Sequence, residues 1–417
     1  MSLRAPATLA ALALVGGCES TPDTTEREFV FESPTMVWQS SQGGAQGVWL
    51  AEGGGGRAFA ILGAALPDGS SGVYAIERRG DDWGAAVPFA RPAGASSEKV
   101  ESVGAWPSPI VVSVAAGAAG TFVTARTFAG AGWSAATALS TPGAERAVIA
   151  RVAESSPFNG ASPTAFDVVY GVASSVCPEG VELRHRRSDG RPLLTAEDAP
   201  TWGAARPVGL ACGAGSLAAA ASEEAVMVAW VGGASGAKDL YAVRGRRAEG
   251  ATAFEVATVV QRGENRDVSA APLGDGHFLL GWSPRSRAAD GTPSGLQRAA
   301  WARFDATLSA WSRVDTGWFF SSTAPVVRGD GAAEALALGS DGDFPSSPLA
   351  LRRWTLERAV RSRSVVGTTL GTVRAGSFLR MRDGSVEVIW LEDAPQGAGQ
   401  RVMWTRGARV VSSDAGV

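Results

Sequence analysis

Short apolar runs separated by turn residues recur along the whole chain. Glycine, proline and serine interrupt most apolar runs within about ten residues, and this pattern predicts many short β-strands with few helices. Glycine accounts for 53 of the 417 residues, nearly twice its average usage of about 7%. We therefore expect an all-β protein rich in tight turns.

A segment that begins at a turn and ends at tryptophan recurs at a nearly constant interval. Gly274–Trp282 and Asp383–Trp390 both place the tryptophan seven residues after an aspartate. Glu223 and Asp330 begin two weaker copies, and the four starts at 223, 275, 330 and 383 lie 52, 55 and 53 residues apart. The interval indicates an internal repeat.

An aromatic residue that follows a polar or glycine-rich turn forms a second series. Its members are Trp83, Trp133, Trp202, Phe254 and Trp311, at intervals of 50, 69, 52 and 57 residues. Two series with similar intervals indicate a unit of roughly 50 to 57 residues, which is the length of four short strands with their turns. A pair of β-sandwiches also gives short strands, but it supplies no reason for this period. We therefore favour a β-propeller.

Dividing the chain by this period gives about seven four-stranded blades, although six or eight are also compatible with it. The expected blades are 45–92, 98–141, 146–210, 214–261, 266–316, 322–369 and 372–412. The last blade has two alternatives for its fourth strand. Arg409–Val411 can provide it, or the N-terminal segment Glu28–Phe31 can provide it and so close the ring.

The first 18 residues resemble a bacterial lipoprotein signal. Arg4 precedes an apolar run, and Leu14-Val15-Gly16-Gly17-Cys18 has the form of a lipobox. The run is too short for a membrane span, which needs about 20 apolar residues. The resemblance implies cleavage before Cys18, lipidation of Cys18, and a place in the cell envelope, on the outer membrane, through this lipid anchor.

The expected organisation follows from these features. It comprises a signal peptide at 1–17, lipidated Cys18 with a polar tether to 27, a propeller at 28–412, and a tail at 413–417. Cys177 and Cys212 remain as an even pair in an exported chain, where disulfides persist. They can form a disulfide that braces one face, or they can be two buried thiols; we favour the disulfide.

The turn-and-tryptophan repeat resembles that of sialidase-like propellers. The sialidase Asp-box reads S-x-D-x-G-x-x-W, and its nearest counterpart here, Ser188-Asp189-Gly190, has no tryptophan three residues later. The resemblance implies an arginine triad and a tyrosine nucleophile. Tyr74, Tyr170 and Tyr241 are the only tyrosines, and no pattern assigns one of them this role.

The net charge and the lack of metal-binding motifs argue against several classes of function. A net charge of −3 without a basic block argues against nucleic-acid binding. His185 and His277 fall in different blades and form no metal motif, so we expect structural roles for both and no cofactor. Asp341 and Asp343 can be calcium ligands or part of a solvated turn; we favour the turn.

Long inserts on one face of the expected propeller supply the candidate ligand contacts, since binding residues concentrate on loops held by a rigid scaffold. A solvated loop charge is the alternative for each of them. The candidates are Arg285, Arg287, Asp290, Asp341, Asp343, Glu392 and Asp393.

Two functions compete on this sequence. The first is a non-catalytic binding or scaffolding module for a glycan, a cell-wall component or a protein. The second is a sialidase-like glycoside hydrolase, whose activity requires arginines and carboxylates that converge at the ring centre. Because propellers host many functions, the fold does not decide between them.

Overall fold

The computed structural model consists almost entirely of antiparallel β-sheet. It describes residues 29–409, apart from 41–43, 55–56, 66–70, 106–107, 131, 143–144, 156–164, 178, 196, 214, 234–237, 249–250, 288–292, 320–325, 330–333, 341–347, 356–361, 369–370, 382 and 398. Cys18 lies outside the described residues. Within the described part, no helix has the length and apolarity needed to span a bilayer.

The first three sheets follow a short N-terminal pair of strands, β1 (Phe29–Phe31) and β2 (Thr35–Ser40). Blade 1 contains β3 (Ala45–Gly54), β4 (Arg57–Ala65), β5 (Ser71–Arg79) and β6 (Asp82–Pro88). Blade 2 contains β7 (Ala95–Gly104), β8 (Ile110–Gly117), β9 (Gly120–Ala129), β10 (Gly132–Trp133) and β11 (Thr137–Ala138). Blade 3 contains β12 (Ala147–Val152), β13 (Asp167–Ala173), β14 (Val181–Arg187) and β15 (Arg206–Ala211).

Four further sheets complete the described chain. Blade 4 contains β16 (Ser216–Ala221), β17 (Ala225–Gly232), β18 (Asp239–Ala248), β19 (Ala251–Phe254) and β20 (Thr258–Gln261). Blade 5 contains β21 (Asn265–Gly274), β22 (His277–Arg287), β23 (Pro293–Asp305) and β24 (Ala310–Phe319). Blade 6 contains β25 (Val326–Gly329), β26 (Glu334–Ser340), β27 (Pro348–Thr355) and β28 (Ser362–Thr368). Blade 7 contains β29 (Val373–Arg380), β30 (Val386–Asp393), the 3₁₀ turn Pro395–Gly397 and β31 (Gln400–Arg409).

The sheets form a closed ring. The first strand of each sheet contacts the first strand of the next, and β29 of blade 7 contacts β3 of blade 1. The first strands are therefore innermost, and the architecture is a β-propeller. Seven sheets of four strand positions in the described chain confirm the expected fold class; in blades 2, 4 and 7 two short strands share the outermost position.

The N-terminal segment closes the ring. Strands β1 and β2 both pair with β31, and Phe29 lies opposite Arg409. Of the two alternatives for the last blade, the N-terminal one is therefore correct, while Arg409 is the final residue of β31 itself. The Phe29 amide also donates to Ser364 Oγ at 2.8 Å, which links the closing strand to blade 6.

The tryptophan repeat follows from packing between blades. Trp230, Trp282 and Trp390 occupy the second strands of their sheets, and each is at most 3% exposed. Each one fills an apolar layer between two adjacent sheets. Because an indole removes a large apolar area from water, the second strands of blades 4, 5 and 7 each carry a buried tryptophan, and the period appears in the sequence.

Turn chemistry fixes the strand register in blade 5. Asp275 and Gly276 have φ values of 48° and 71°, which is the geometry of a type I′ hairpin turn. The turn joins β21 to β22. The Asp-Gly pair thus sets the position of the buried Trp282 relative to its neighbours.

Because successive strands run in opposite directions, the connections between them fall at two opposite ends of the ring. Connections between second and third strands, and those between blades, lie at what we call the loop end. Turns between first and second strands, and between third and fourth strands, lie at the opposite turn end.

Candidate functional site

Cys177 and Cys212 form a disulfide, with their Cα atoms 5.7 Å apart. Cys177 follows the second strand of blade 3, and Cys212 follows its fourth strand. The Gly233 amide donates to the Cys212 carbonyl at 2.7 Å, which extends the brace to blade 4. The expected bond is confirmed, and it stiffens the loop end of the ring.

Two of the candidate carboxylates lie in a strand rather than in the expected loop. Glu392 and Asp393 are the last residues of β30. Glu392 is 1% exposed and accepts hydrogen bonds from Arg401 Nε at 2.7 Å and from Trp390 Nε1 at 3.0 Å. Its neighbours therefore already satisfy the Glu392 carboxylate, which acts as part of the blade.

Two of the remaining candidates lie in a strand, and the other three lie outside the described residues. Arg285 and Arg287 belong to β22, which continues past the sheet as a two-stranded ladder and places them opposite Gln297 and Pro293. The polar residues there extend a hairpin where the sequence indicated an insert. Asp290, Asp341 and Asp343 lie outside the described residues.

Five innermost strands carry a β-bulge close to their start, at the loop end. Each bulge inserts one exposed residue between two paired neighbours; these residues are Gln46, Ser96, Val148, Asp267 and Arg374. Bulges re-aim side chains and are common beside functional sites. The repeat therefore places a set of exposed side chains around one end of the ring.

Arg374, one of these bulge residues, forms an ion pair with Asp393 at the end of β30. Arg374 Nη2 lies 2.7 Å from Asp393 Oδ2, and Arg374 Nε lies 3.1 Å from Asp393 Oδ1. The Arg374 side chain is 54% exposed. Asp393 is thus a candidate residue that pairs with an exposed side chain of an innermost strand.

Asp267 has a strained backbone conformation, and the pKa of its carboxyl is raised. Its φ of 40° is unfavourable for a residue with a side chain, and such strain concentrates at functional sites. The residue as a whole is exposed, but the protein around its carboxyl displaces part of the water there. This desolvation raises the pKa of the Asp267 carboxyl, and the Lys238 ammonium partly opposes that rise. The buried Asn265 amide donates to the Lys238 carbonyl at 2.9 Å, which fixes this loop beside Asp267.

A cleft of about 740 Å³ opens between the outer strands of blades 1 and 2. Four aromatic residues form its walls: Phe59, Phe89, Phe128 and Trp133. Small residues leave the space between them open, and these are Gly84, Ala85, Ala90, Ala93, Ala135 and Ala136. A preformed cleft of this size falls within the range of about 300–1,000 Å³ that is typical of small-ligand sites.

The Trp133 ring is held in place by three others. Its centroid lies 5.3 Å from Phe59, 5.3 Å from Phe128 and 5.2 Å from Phe89. Phe59 and Phe128 are fully buried, while Trp133 and Phe89 are half-buried. The two half-buried rings can therefore contact a ligand without losing much conformational freedom.

Charged groups occupy the same walls. Arg57 Nε lies 2.6 Å from Glu77 Oε1, and the Arg57 guanidinium stacks 4.8 Å from the Phe128 centroid. The hydrogen bond from Arg79, followed by that from Arg57, lowers the pKa of Glu77 against the opposing effect of burial. Both side chains of the Arg57–Glu77 pair are about a quarter exposed, so the pair is fixed and also accessible.

A second ion pair supports the wall that blade 1 contributes. Arg126 Nη2 lies 3.0 Å from Glu98 Oε2, and the same nitrogen donates to the Ala90 carbonyl at 2.7 Å. Arg126 also lies over the Phe89 ring at 5.3 Å. The segment that leaves β6 is thereby fastened to blade 2, which keeps the cleft at a fixed width.

The histidines and the central tyrosine have structural positions. His185 Nε2 lies 2.8 Å from the buried Asp167, which also binds Arg247 of blade 4 at 2.8 Å. His277 Nδ1 accepts the Ala306 amide at 3.2 Å. Tyr170 is fully buried in the layer between blades 2 and 3, and burial raises its pKa. Solvent does not reach the Tyr170 ring.

The sequence pattern did not predict the blade 1–2 cleft, although Trp133 belongs to one of the two repeat series. Trp133 was one member of a repeat series, and nothing separated it from Trp83 or Trp202. The available signal was the run of small residues after it, Ser134-Ala135-Ala136. Small residues beside a half-buried indole leave space that larger ones fill.

Comparisons with known proteins support the fold. No protein-family model matches this sequence, and no curated protein matches it. A solved protein of unknown function from Dyadobacter fermentans shares the architecture, with a TM-score of 0.53, 11% identity, and coverage of 92% of this chain and 100% of that chain.

Two further solved structures are more distant. A K499G mutant of the NanB sialidase from Streptococcus pneumoniae has a TM-score of 0.47 and 10% identity over 90% of this chain and 70% of its own. An α-L-arabinanase from Penicillium chrysogenum has a TM-score of 0.47 and 11% identity over 90% of this chain and 98% of its own. At these scores the likeness is one of overall shape alone.

Proposed function

We propose that this chain is an exported lipoprotein whose β-propeller is a non-catalytic binding module. The blade 1–2 cleft carries the proposal, because it combines aromatic walls with accessible polar groups in a preformed concave site. Its ligand is a component of the cell envelope: a glycan, a cell-wall fragment or a protein segment.

Rigid walls support a binding role. Trp133 is enclosed by Phe59, Phe89 and Phe128, and Arg57 is held by both Glu77 and Phe128. Binding costs less conformational entropy where contact groups are already ordered. The polar groups of the walls are engaged with one another, which suits recognition more than proton transfer.

The anchor places the cleft at a membrane surface. Lipidation at Cys18 supplies more than one acyl chain, and each buried methylene contributes about 0.8 kcal/mol to membrane affinity. Residues 19–27 are polar and serve as a tether. Labelled palmitate is expected to enter the wild-type chain but not Cys18→Ser; equal labelling of both contradicts the lipoprotein assignment.

A thermal-shift screen against ligands of different chemical classes tests the binding role. A ligand that binds only the folded chain stabilises it by RT ln(1 + [L]/Kd), so a binder raises Tm. Ala135→Trp fills the cleft and is expected to abolish the shift. Ala204→Trp is the matched control, because Ala204 follows Trp202 in blade 3 as Ala135 follows Trp133. A shift that survives Ala135→Trp contradicts the proposal.

Asp267 favours a second candidate function, a sialidase-like glycoside hydrolase. A strained, partly accessible carboxyl with a raised pKa is suited to donate a proton, and Asp267 lies at the bulge of β21, an innermost strand. Fluorogenic sialosides and other glycosides test this alternative. Hydrolysis by the wild type that Asp267→Asn abolishes establishes the enzyme; no hydrolysis above the Asp267→Asn background supports the binding module.

A further inference from the structure

We infer that the blade 1–2 cleft binds an uncharged oligosaccharide. The inference rests on the proposed binding function and adds the chemical class of the ligand. Three features of the cleft carry it: the paired charges, the exposed aromatic faces and the small residues between them.

The acidic and basic groups beside the aromatic walls are already paired. Arg57 and Arg79 both lie against Glu77, and Arg126 lies against the buried Glu98; Arg91 also lines the cleft. A charged ligand beside an ion pair is attracted by one member and repelled by the other, so its net electrostatic stabilisation is small. A hydroxyl group, by contrast, both donates and accepts. Neighbouring hydroxyls can therefore accept from the Arg57 guanidinium and donate to the Glu77 carboxylate at the same time.

The aromatic faces match the other side of a sugar ring. A pyranose presents C–H groups on one face. The half-buried Trp133 and Phe89 offer apolar rings to it, with their centroids 5.2 Å apart and their planes at 54°. The small residues of β6 that line the cleft, Gly84 and Ala85, leave room for the substituents of the ring.

A purely apolar ligand fits less well. An acyl chain in the cleft covers Arg57 and Glu77 without forming hydrogen bonds to them. Covering a polar or charged group without replacing its water contacts is costly. An oligosaccharide removes the same water but supplies hydroxyls in its place, so the cleft discriminates against lipid.

Calorimetric titration of the purified full-length chain tests the inference. The probes are cellotetraose, xylotetraose and N-acetylchitotetraose as neutral saccharides, with trigalacturonate, dodecanoate and a proline-rich decapeptide as competing classes. At least one neutral tetrasaccharide is expected to bind. Its affinity is expected to exceed that of each competing probe by about tenfold, which corresponds to 1.4 kcal/mol.

Matched variants assign the binding to the cleft. Trp133→Ala is expected to weaken the saccharide affinity by about tenfold or more. Trp202→Ala is the control, because Trp202 belongs to the same tryptophan series in blade 3, outside the cleft; its affinity is expected to stay within about twofold of wild type.

Glu77→Gln provides a variant whose folding is at little risk, since Glu77 is partly exposed and glutamine has nearly its shape. Loss of a hydrogen bond to a charged group is expected to weaken binding by about tenfold. Saccharide binding that neither Trp133→Ala nor Glu77→Gln reduces overturns the inference.

The outcomes separate this inference from the binding function itself. Binding of dodecanoate, trigalacturonate or the peptide, lost in Trp133→Ala, with no binding of neutral saccharides, overturns the saccharide assignment and leaves a binding module. Absence of binding by all probes overturns the saccharide assignment, and the Ala135→Trp thermal-shift screen then decides the binding function independently.

Discussion

Arg78 in blade 1 and Glu387 in blade 7 form a buried ion pair across the seam where the ring closes. Their side chains are 3% and 1% exposed. Glu387 also accepts from Trp404 Nε1 at 3.2 Å, and the Arg78 guanidinium lies 4.9 Å from the Trp404 centroid. The first and last blades are therefore joined by a charged contact as well as by the apolar layer between them.

Removal of Arg78 is expected to destabilise the seam. Arg78→Met leaves the Glu387 carboxylate buried without its countercharge, a change that costs about 3–5 kcal/mol in comparable pairs. Arg79→Met, one residue along the strand and 75% exposed, is the control and is expected to change stability by about 0.5 kcal/mol or less. Chemical denaturation measures both; similar losses contradict a special role for the pair.

The Arg78→Met defect is expected to shrink in acid. Burial raises the pKa of Glu387, and Arg78 is the largest opposing influence, so removing Arg78 raises this pKa further. A carboxyl whose pKa is raised on folding favours the folded state below that pKa and disfavours it as the pH rises through it. The Tm difference from wild type is expected to narrow as the pH falls from 7 towards 4.5; a difference that widens contradicts this account.

The closing strand yields a separate prediction. Phe29 is 3% exposed, whereas its neighbour Val30 is 57% exposed. Phe29→Ala is expected to cost about 3–5 kcal/mol through the cavity it creates, while Val30→Ala is expected to cost about 0.5 kcal/mol or less. Equal stability of the two variants by thermal denaturation shows that the N-terminal strand does not close the ring.

The disulfide is expected to stabilise the chain by restricting the unfolded state. The bonded cysteines are 35 residues apart, and closing such a loop contributes roughly 3–4 kcal/mol in the chain-entropy treatment. Cys177→Ala, Cys212→Ala and the double variant are therefore expected to lose the same Tm under oxidising conditions. Reductant is expected to lower only the wild-type Tm; an unchanged wild-type Tm contradicts the prediction.

Relief of the backbone strain at Asp267 is expected to raise the stability of the chain, whereas the substitutions above lower it. The Asp267 φ of 40° costs a residue with a side chain about 1 kcal/mol or more, and glycine adopts this conformation without strain. Asp267→Gly is expected to gain up to about 1 kcal/mol of stability in denaturant titration, beyond any change seen in Asp267→Asn. A loss relative to Asp267→Asn shows that the position is relaxed.

Much of the fold could be predicted from the sequence because propeller packing leaves a periodic trace. Trp230, Trp282 and Trp390 repeat because each fills the same layer between blades. The disulfide could be predicted because two cysteines fell at the same end of one blade. The alternatives for the fourth strand of blade 7 could not be separated, since strand exchange depends on which chain end reaches β31 and not on local pattern.

The candidate site was less predictable, because exposed charge alone does not reveal its partners. Glu392 resembled a loop carboxylate in the sequence, but Arg401 and Trp390 satisfy it inside the blade. The cleft arises where Phe59 of blade 1 meets Trp133 of blade 2. That meeting depends on the relative position of two sheets, which no local spacing records.

The position of a bound ligand distinguishes the blade 1–2 cleft from the loop end of the ring. A crystal structure of the chain with the best ligand from the thermal-shift screen measures that location. If the cleft is the binding site, ligand density is expected there, against the Trp133 and Phe89 rings and within hydrogen-bond distance of Arg57 or Glu77. Density beside Asp267 at the loop end, with the cleft empty, contradicts this assignment.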